Sequence, residues 1–399
     1  MDLLYLSHCV PYPPDKGEKI RAYEEIMALT KAHNIHLACF ARSGEEAIHI
    51  DALKPYCGSV YAEVRALPRA LTWAGVNFAL GRSLNRAFFD SQKMRHYVTG
   101  LIEGKSLEGA VVYTVPMMQY VPAELPAVLD LVDVDSEKWR QYSLMKPFAW
   151  FYREESERLR TEEARAVAQA RMTLLTTENE AGVFHGSAKQ DTLLSLENGV
   201  NFDYFDPAAT PALDALNGRR FVLFVGTMDY FPNIDAARWF VSEVFRPLRE
   251  NDPQIEFLIV GNRPSKSVLH LERFEGVTVT GGVPDIRPYL AAAQAVVAPL
   301  RLARGIQNKV LEALAMGRYV LASPPVCQAF GDVLPHGVIC CASAGDFQQA
   351  AMRSVAGCNV QLREQARKRF TWARNLARLV SVVASLKDHA QASDFPPVQ

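Results

Sequence analysis

Short apolar runs alternate with stretches of helical spacing along the whole chain. In the first half the apolar runs fall at residues 3–7, 35–40, 59–63, 110–114, 127–132 and 172–176. Each is bounded by polar or turn-forming residues and reads as a strand. Between them, residues 19–31, 45–53, 84–103 and 153–170 carry helical periodicity. Strands alternating with helices predict a parallel sheet with helical crossovers. The stretch 153–171 is dense in Glu and Arg at helical spacing, which fits a solvated, self-paired helix face without a chemical role.

A Pro- and Ala-rich segment at 206–218 interrupts the pattern and reads as a linker. Alternation then restarts, with strands expected at 220–226, 255–261, 277–280, 295–299 and 319–323 and helices at 233–250, 284–293 and 308–317. The expected organisation is a first domain at 1–205, the linker, a second domain at 219–372, and a segment 373–399. That last segment combines a helix packing back on the first domain with a frayed tail. The fold class is α/β, with two facing Rossmann-like, doubly wound domains. Such sheets bind ligands beyond the carboxyl ends of their strands.

Composition narrows the functional classes. A length of 399 residues suits two domains of ordinary size. A formal net charge of −1 provides no global field for nucleic acid, so any anion site must be local. The cysteine count is odd at seven and no Cys-x-x-Cys pair occurs, which predicts buried thiols in a reducing cytoplasm. Residues 1–7 lack the basic start and apolar run of a signal peptide. No apolar stretch approaches the roughly 18 residues needed to span a bilayer. The expected location is cytoplasmic, with peripheral contact at the inner face of the membrane left open.

Candidate chemistry concentrates in Leu302-Ala-Arg-Gly-Ile-Gln-Asn-Lys-Val-Leu-Glu-Ala-Leu-Ala-Met-Gly317. A strand runs into a loop containing Gly305, and a helix opens near Asn308, a good N-cap residue. A helix start offers N–H groups and a positive dipole end to a diphosphate. Lys309 in the first turn opposes that dipole, a conflict a bound anion relieves; the alternative is an ordinary exposed lysine. Glu312, three residues on, projects from the same side and can accept two hydrogen bonds from a ribose diol. The alternative there is a simple Lys–Glu surface pair. His33 and His36 straddle a helix end and a strand start and do not form a metal motif.

The segment from Gly305 to Gly317 resembles the donor-site signature of family 4 glycosyltransferases, which have the GT-B fold. Glu197-Asn-Gly-Val-Asn-Phe-Asp-Tyr-Phe205, Phe224-Val-Gly226 and Leu258-Ile-Val-Gly261 resemble further family segments in order and spacing. Pro11-Tyr-Pro-Pro-Asp-Lys-Gly-Glu-Lys-Ile-Arg21 and Asp130-Leu-Val-Asp-Val-Asp-Ser-Glu-Lys-Trp139 resemble the sugar transferases of exosortase (PEP-CTERM) exopolysaccharide systems. The resemblance implies transfer of a hexose-like unit from a nucleotide-diphosphate sugar to a glycan or lipid-linked acceptor. It implies retention at the anomeric carbon, no metal and no cofactor beyond the donor itself.

Residue by residue, the resemblance gives Glu312 the donor ribose. It puts Gly305, Ile306, Gln307, Asn308, Gly226, Thr227 and Asn233 along the donor. Gly17 and Lys19 carry over as a glycine loop against the donor phosphates, with Arg21, Tyr113 and Thr114 on the acceptor side. Two departures stand out. Arg304 occupies the place of the Glu that usually holds donor-sugar hydroxyls, and an arginine cannot accept hydrogen bonds. The usual phosphate-binding Arg and Lys after the first strand of the second domain are replaced by Thr227-Met-Asp-Tyr-Phe-Pro-Asn233. Lys309, Arg304, Arg301 and Arg263 are the substitutes, with Lys309 and Arg304 cast as catalytic. Asp133 and Asp135, two apart, lack the architecture of a metal motif.

Residues 64–89 contain no acid but include Arg65, Arg69, Arg82 and Arg86 among Leu71, Trp73, Val76, Phe78 and Phe88. The mixture fits an anionic lipid surface or a lipid-diphosphate acceptor, or alternatively an irregular loop and core helix. Two other functions share the fold-level features: a nucleotide-sugar epimerase of GT-B fold, and a non-catalytic sugar-nucleotide-binding subunit.

Overall fold

The computed structural model describes residues 1–65, 67–184, 190–354 and 357–387. The chain forms two compact units. One comprises Met1–Glu197 and the segment beginning at Ala373, and the other comprises Asn198–Trp372.

The first unit is built on a sheet of seven strands among the described residues, ordered β3-β2-β1-β4-β5-β6-β7. The strands are β1 (Asp2–Ser7), β2 (Asn34–Ala41), β3 (Ser59–Val64), β4 (Gly109–Tyr113), β5 (Ala127–Val132), β6 (Met172–Leu175) and β7 (Leu193–Ser195). Every pairing is parallel. The central strands β1 and β4 are buried on both faces, which is why they read as continuous apolar runs. The order reverses between β1 and β4, which makes their carboxyl ends the switch point of this sheet.

The helices that matter below are α1 (Gly17–Leu29), α2 (Leu67–Ala79), α3 (Asp135–Met145) and α4 (Ala149–Gln169) in the first unit. The second unit contributes α5 (Phe231–Trp239) and α6 (Asn308–Ala315), and α7 (Trp372–Ala384) follows. The expected single helix at 84–103 is instead two, Leu84–Phe88 and Gln92–Gly104. Ser91 breaks it, taking an extended backbone and accepting a hydrogen bond from Met94 N–H as an N-cap.

The second sheet has six strands among the described residues, ordered β10-β9-β8-β11-β12-β13. They are β8 (Arg220–Val225), β9 (Ile255–Val260), β10 (Val277–Gly281), β11 (Ala295–Ala298), β12 (Val320–Ala322) and β13 (Val338–Cys340). All are parallel, and the order reverses between β8 and β11.

The expected boundary at 205/206 moves to 197/198. Val200, Phe202 and Phe205 belong to the hydrophobic core of the second unit. Arg363 fixes them there by donating to the carbonyls of Phe202 (2.8 Å) and Phe205 (2.7 Å). The proline-rich segment 206–218 therefore lies inside the second unit. From Ala373 the chain belongs to the first unit, where Leu376, Leu379, Val383 and Leu386 are buried. A Cβ on Gly109 of β4 would come within 2.9 Å of Leu386. The expected frayed tail at 393–399 lies outside the described residues. The seven cysteines are thiols, but not all are buried: Cys57 is half-buried, and Cys340 and Cys358 are exposed.

Candidate functional site

The switch point of the second sheet gathers the densest set of expected site residues. β8 ends at Val225 and delivers Gly226 and Thr227 to the carboxyl edge. Asn233, in the first turn of α5, is buried and ties the two sides of the site together. Its Nδ2 donates to the Thr227 carbonyl (2.9 Å), and its Oδ1 accepts from Lys309 Nζ (2.8 Å). Lys309 also lies over the Phe224 ring, 4.5 Å from its centroid. A Cβ at Gly226 would sit 2.7 Å from Asn233 Nδ2 and 3.1 Å from Lys309 Nζ, so only glycine leaves this edge open. Gly261, at the end of β9, approaches even closer: its Cβ would fall 1.6 Å from the Gly226 carbonyl oxygen.

The loop after β11 supplies the opposite wall. Gly305 has φ of 59°, a left-handed conformation that glycine adopts without penalty. Gln307, not Asn308, is the N-cap of α6, and no side chain caps this helix. Asn308 is held elsewhere: its Oδ1 accepts from Asn198 Nδ2 (3.2 Å), which also donates to the Ile306 carbonyl (3.3 Å). Gln307 Nε2 turns back to the Arg304 carbonyl (2.8 Å). The loop is thus braced by local amides; in the first turn of α6 the Val310 N–H is taken by the Gln307 carbonyl (2.9 Å), and no side chain caps the helix start. Asn198, within the Glu197–Phe205 motif, thus braces the loop, a role that its local sequence does not announce.

Lys309 and Glu312 share one side of α6. Burial pushes the Lys309 ammonium down to about 7, against the opposing pull of Glu312. Burial likewise raises the Glu312 carboxyl to about 7, against the pull of Lys309. Among the described residues the Glu312 carboxylate has no hydrogen-bond or ion-pair partner. A poorly solvated cation beside an unengaged carboxylate is a pair set up to receive an anion and hydroxyl groups. The other expected cations are placed differently. Arg301 forms an exposed ion pair with Asp235, with Nε 2.9 Å from Oδ2. Arg263 faces Asp229 at 3.3 Å. Both engage acids of their own unit. Arg304 stands on the loop three residues before the cap of α6.

In the first unit the expected glycine loop is a plain helix start: Gly17 opens α1 and is exposed. Lys19 is buried and paired with Glu46 at 2.8 Å, so it is not available to a phosphate in this arrangement. Arg21 and Tyr113, expected on the acceptor side, are fully buried. Arg21 pairs with Asp130 (2.5 Å) and Glu25 (3.2 Å) and donates to the Leu196 carbonyl (2.9 Å). Tyr5 donates to Glu25 (2.8 Å), whose carboxyl is raised by burial and by Asp130. This cluster clamps α1 to the sheet and touches no surface.

Thr114 does reach the carboxyl edge, and it brings a partner that sequence reasoning missed. Its Oγ1 lies 3.2 Å from Nδ1 of His8, the first residue after β1. The imidazole stacks on Tyr113 and faces Glu18 of α1 at 3.6 Å. Burial opposes ionisation of Glu18, but His8, Arg42 and Lys16 bring its carboxyl down to about 2. Thr114 (φ 75°) and Val132 (φ 66°) are β-branched residues in conformations that favour glycine, both at this edge. A histidine directly past a strand end was the available signal; its partners lie ten and 106 residues away.

Residues 219–356 match the family model described as glycosyl transferases group 1. The second unit carries a glycosyltransferase domain. Its matched segment contains every second-unit site residue named above except Asn198. No curated protein matches the chain by sequence. Solved structures share the GT-B architecture over nearly the whole length. The Anabaena protein HepE, solved in complex with UDP, is 12% identical with a TM-score of 0.66, covering 96% of this chain and 100% of that one. Sucrose-phosphate synthase from Thermosynechococcus elongatus is 16% identical with a TM-score of 0.67, covering 98% and 100%. The α,α-trehalose 6-phosphate synthase of Burkholderia multivorans is 12% identical with a TM-score of 0.64, covering 100% and 99%. Both sheets of this chain are those of the GT-B fold.

Proposed function

We propose that the protein transfers a sugar from a nucleoside-diphosphate donor to an acceptor hydroxyl, and that Lys309 and Glu312 hold the donor. The observation that carries this reading is the pairing of a desolvated ammonium and an unengaged carboxylate on one side of an uncapped helix start. In this reading the diphosphate takes the first turn of α6 and Lys309 Nζ, and the Glu312 carboxylate accepts the two ribose hydroxyls. The anomeric carbon–oxygen bond breaks with its electron pair going to the diphosphate, whose growing charge Lys309 and the α6 N–H groups stabilise. The acceptor oxygen bonds to the anomeric carbon and gives up its proton to the departing diphosphate oxygen. Retention, and an acceptor that is a lipid-linked exopolysaccharide intermediate, follow from the resemblance to family 4 and to exosortase-associated transferases. HepE, captured with UDP-glucose, makes that nucleotide sugar the first donor to try.

Charge assignment makes the reading testable by pH. The donor requires Lys309 charged and Glu312 ionised, and both groups titrate at about 7 in the free site. Above that pH Lys309 is mostly neutral, so binding must take up a proton. Below it Glu312 is mostly protonated, so binding must release one. Calorimetry of UDP-glucose binding in two buffers of unequal ionisation enthalpy is expected to show uptake at pH 8 and release at pH 6, each approaching one proton. The same sign at both pH values contradicts the pair.

Glu312→Gln keeps the volume and removes the charge. Two charge-assisted bonds weaken, and donor affinity is expected to fall by about 10²-fold. Unchanged affinity and turnover of the variant with a donor that the wild type uses would exclude the proposed site. An epimerase would instead release free sugar or its epimer without acceptor, which product analysis distinguishes.

A further inference from the structure

Helix α2 is packed inside out. It turns its small residues Ala70 and Ala74, with Asn77, inward and exposes Leu71, Trp73 and Val76. Leu80, just beyond its end, is 72% exposed. An ordinary surface helix does the reverse, burying its large apolar side chains. The turn between α3 and α4 adds Leu144 (72% exposed), Phe148 (72%) and Trp150 (67%). The two elements meet: the Phe78 and Phe151 rings lie 5.1 Å apart, and Arg158 stacks over Phe78 at 4.1 Å. The result is one apolar surface in the first unit with two exposed tryptophans, more than scattered surface residues explain.

Its charge is one-sided. Residues 64–89 and 138–153 contain no Asp or Glu and carry four Lys or Arg each, in a chain of net charge −1. Some of these cations are engaged: Arg86 pairs with Glu162, Lys138 with Asp135 and Arg140 with Glu137. Arg82 and Arg153 are exposed beside Leu80 and Trp150 without an ion-pair partner among the described residues. The side chain of Arg69 lies outside the described residues. Nearby Glu154 is already taken by Arg158, while Glu157 remains exposed.

We propose that this surface docks the first unit on an anionic lipid bilayer, with α2 and the α3–α4 turn seated in the headgroup region. Exposed Trp beside Leu, rimmed by Arg, matches the layered chemistry of a membrane interface. A second copy of the chain fits less well, because a twofold contact would set one cationic surface against another. Among the described residues no helix is long and apolar enough to cross a membrane, so attachment here is to the surface.

Flotation with phosphatidylglycerol–phosphatidylcholine vesicles tests the proposal. The wild type is expected to bind these and to bind phosphatidylcholine vesicles at least tenfold less. Trp73→Glu/Trp150→Glu is expected to lose binding at least tenfold with an unchanged melting temperature, since both side chains are exposed. Arg82→Glu/Arg153→Glu should lose the preference for anionic vesicles. Absence of wild-type binding, equal binding by the tryptophan variant, or a wild-type dimer that this variant dissolves would overturn it. Donor binding, read separately by calorimetry, belongs to the other unit and is expected to be unchanged in both variants.

Discussion

Lys309→Met is expected to lower the turnover number for sugar transfer by about 10²- to 10³-fold, the usual loss when one donor to a developing oxyanion is removed. Methionine keeps an unbranched apolar stem against the Phe224 ring, so the site stays packed. What disappears is the ammonium hydrogen-bonded to Asn233, and with it the charge proposed to meet the leaving diphosphate. Removing a cation already short of solvent does not unfold the domain, and the melting temperature of the free protein should hold or rise. Steady-state kinetics beside a thermal melt checks both halves. Turnover within threefold of wild type would mean that another group stabilises the leaving diphosphate.

The second large effect falls on stability. Gly261→Ala places a methyl group 1.6 Å from the Gly226 carbonyl oxygen, and backbone rather than a flexible side chain must give way. The ends of β8 and β9 have to separate, at an expected cost of about 3 kcal/mol or more. For units of this size that lowers the melting temperature by roughly 10 °C. Because Gly226 borders Asn233 and Lys309, donor affinity should fall along with stability. Calorimetric melting of the variant, with and without UDP-glucose, measures both. A melting temperature within 2 °C of wild type would show that the two loops yield readily.

The contrast between these positions explains what the sequence disclosed. Strands such as β1 and β8 were legible because a sheet covered on both faces writes unbroken apolar runs. β7 and β13, three residues each, are half-buried or exposed over most of their length and so write no apolar run, unlike the equally short but fully buried β12. α3 was missed because its start, Asp133-Val-Asp-Ser-Glu137, looks like a polar loop. Most of the candidate donor site lies on two short segments, after β8 and after β11, so its residues could be named from local spacing. The first unit yielded less because its pairings are long-range. Nothing near Lys19 announces Glu46, and nothing near Arg21 announces Asp130, 109 residues away. Both cations looked available and are structural. His8 went unnoticed for the same reason, since its meaning lies in Thr114 and Glu18.

The two chain crossings between the units have a consequence for biosynthesis. Val200 bridges Thr371, and Val200 N–H donates to the Phe370 carbonyl (2.8 Å), so the ends of the second unit are stitched together. That unit is a closed insert within the first. On the ribosome, the nascent first sheet emerges early yet must wait for α7 and Leu386 just beyond it, translated some 170 residues later or more, to cover Gly109 and its neighbours. During that interval the insert can complete its own core, so the order of folding runs against the order of synthesis.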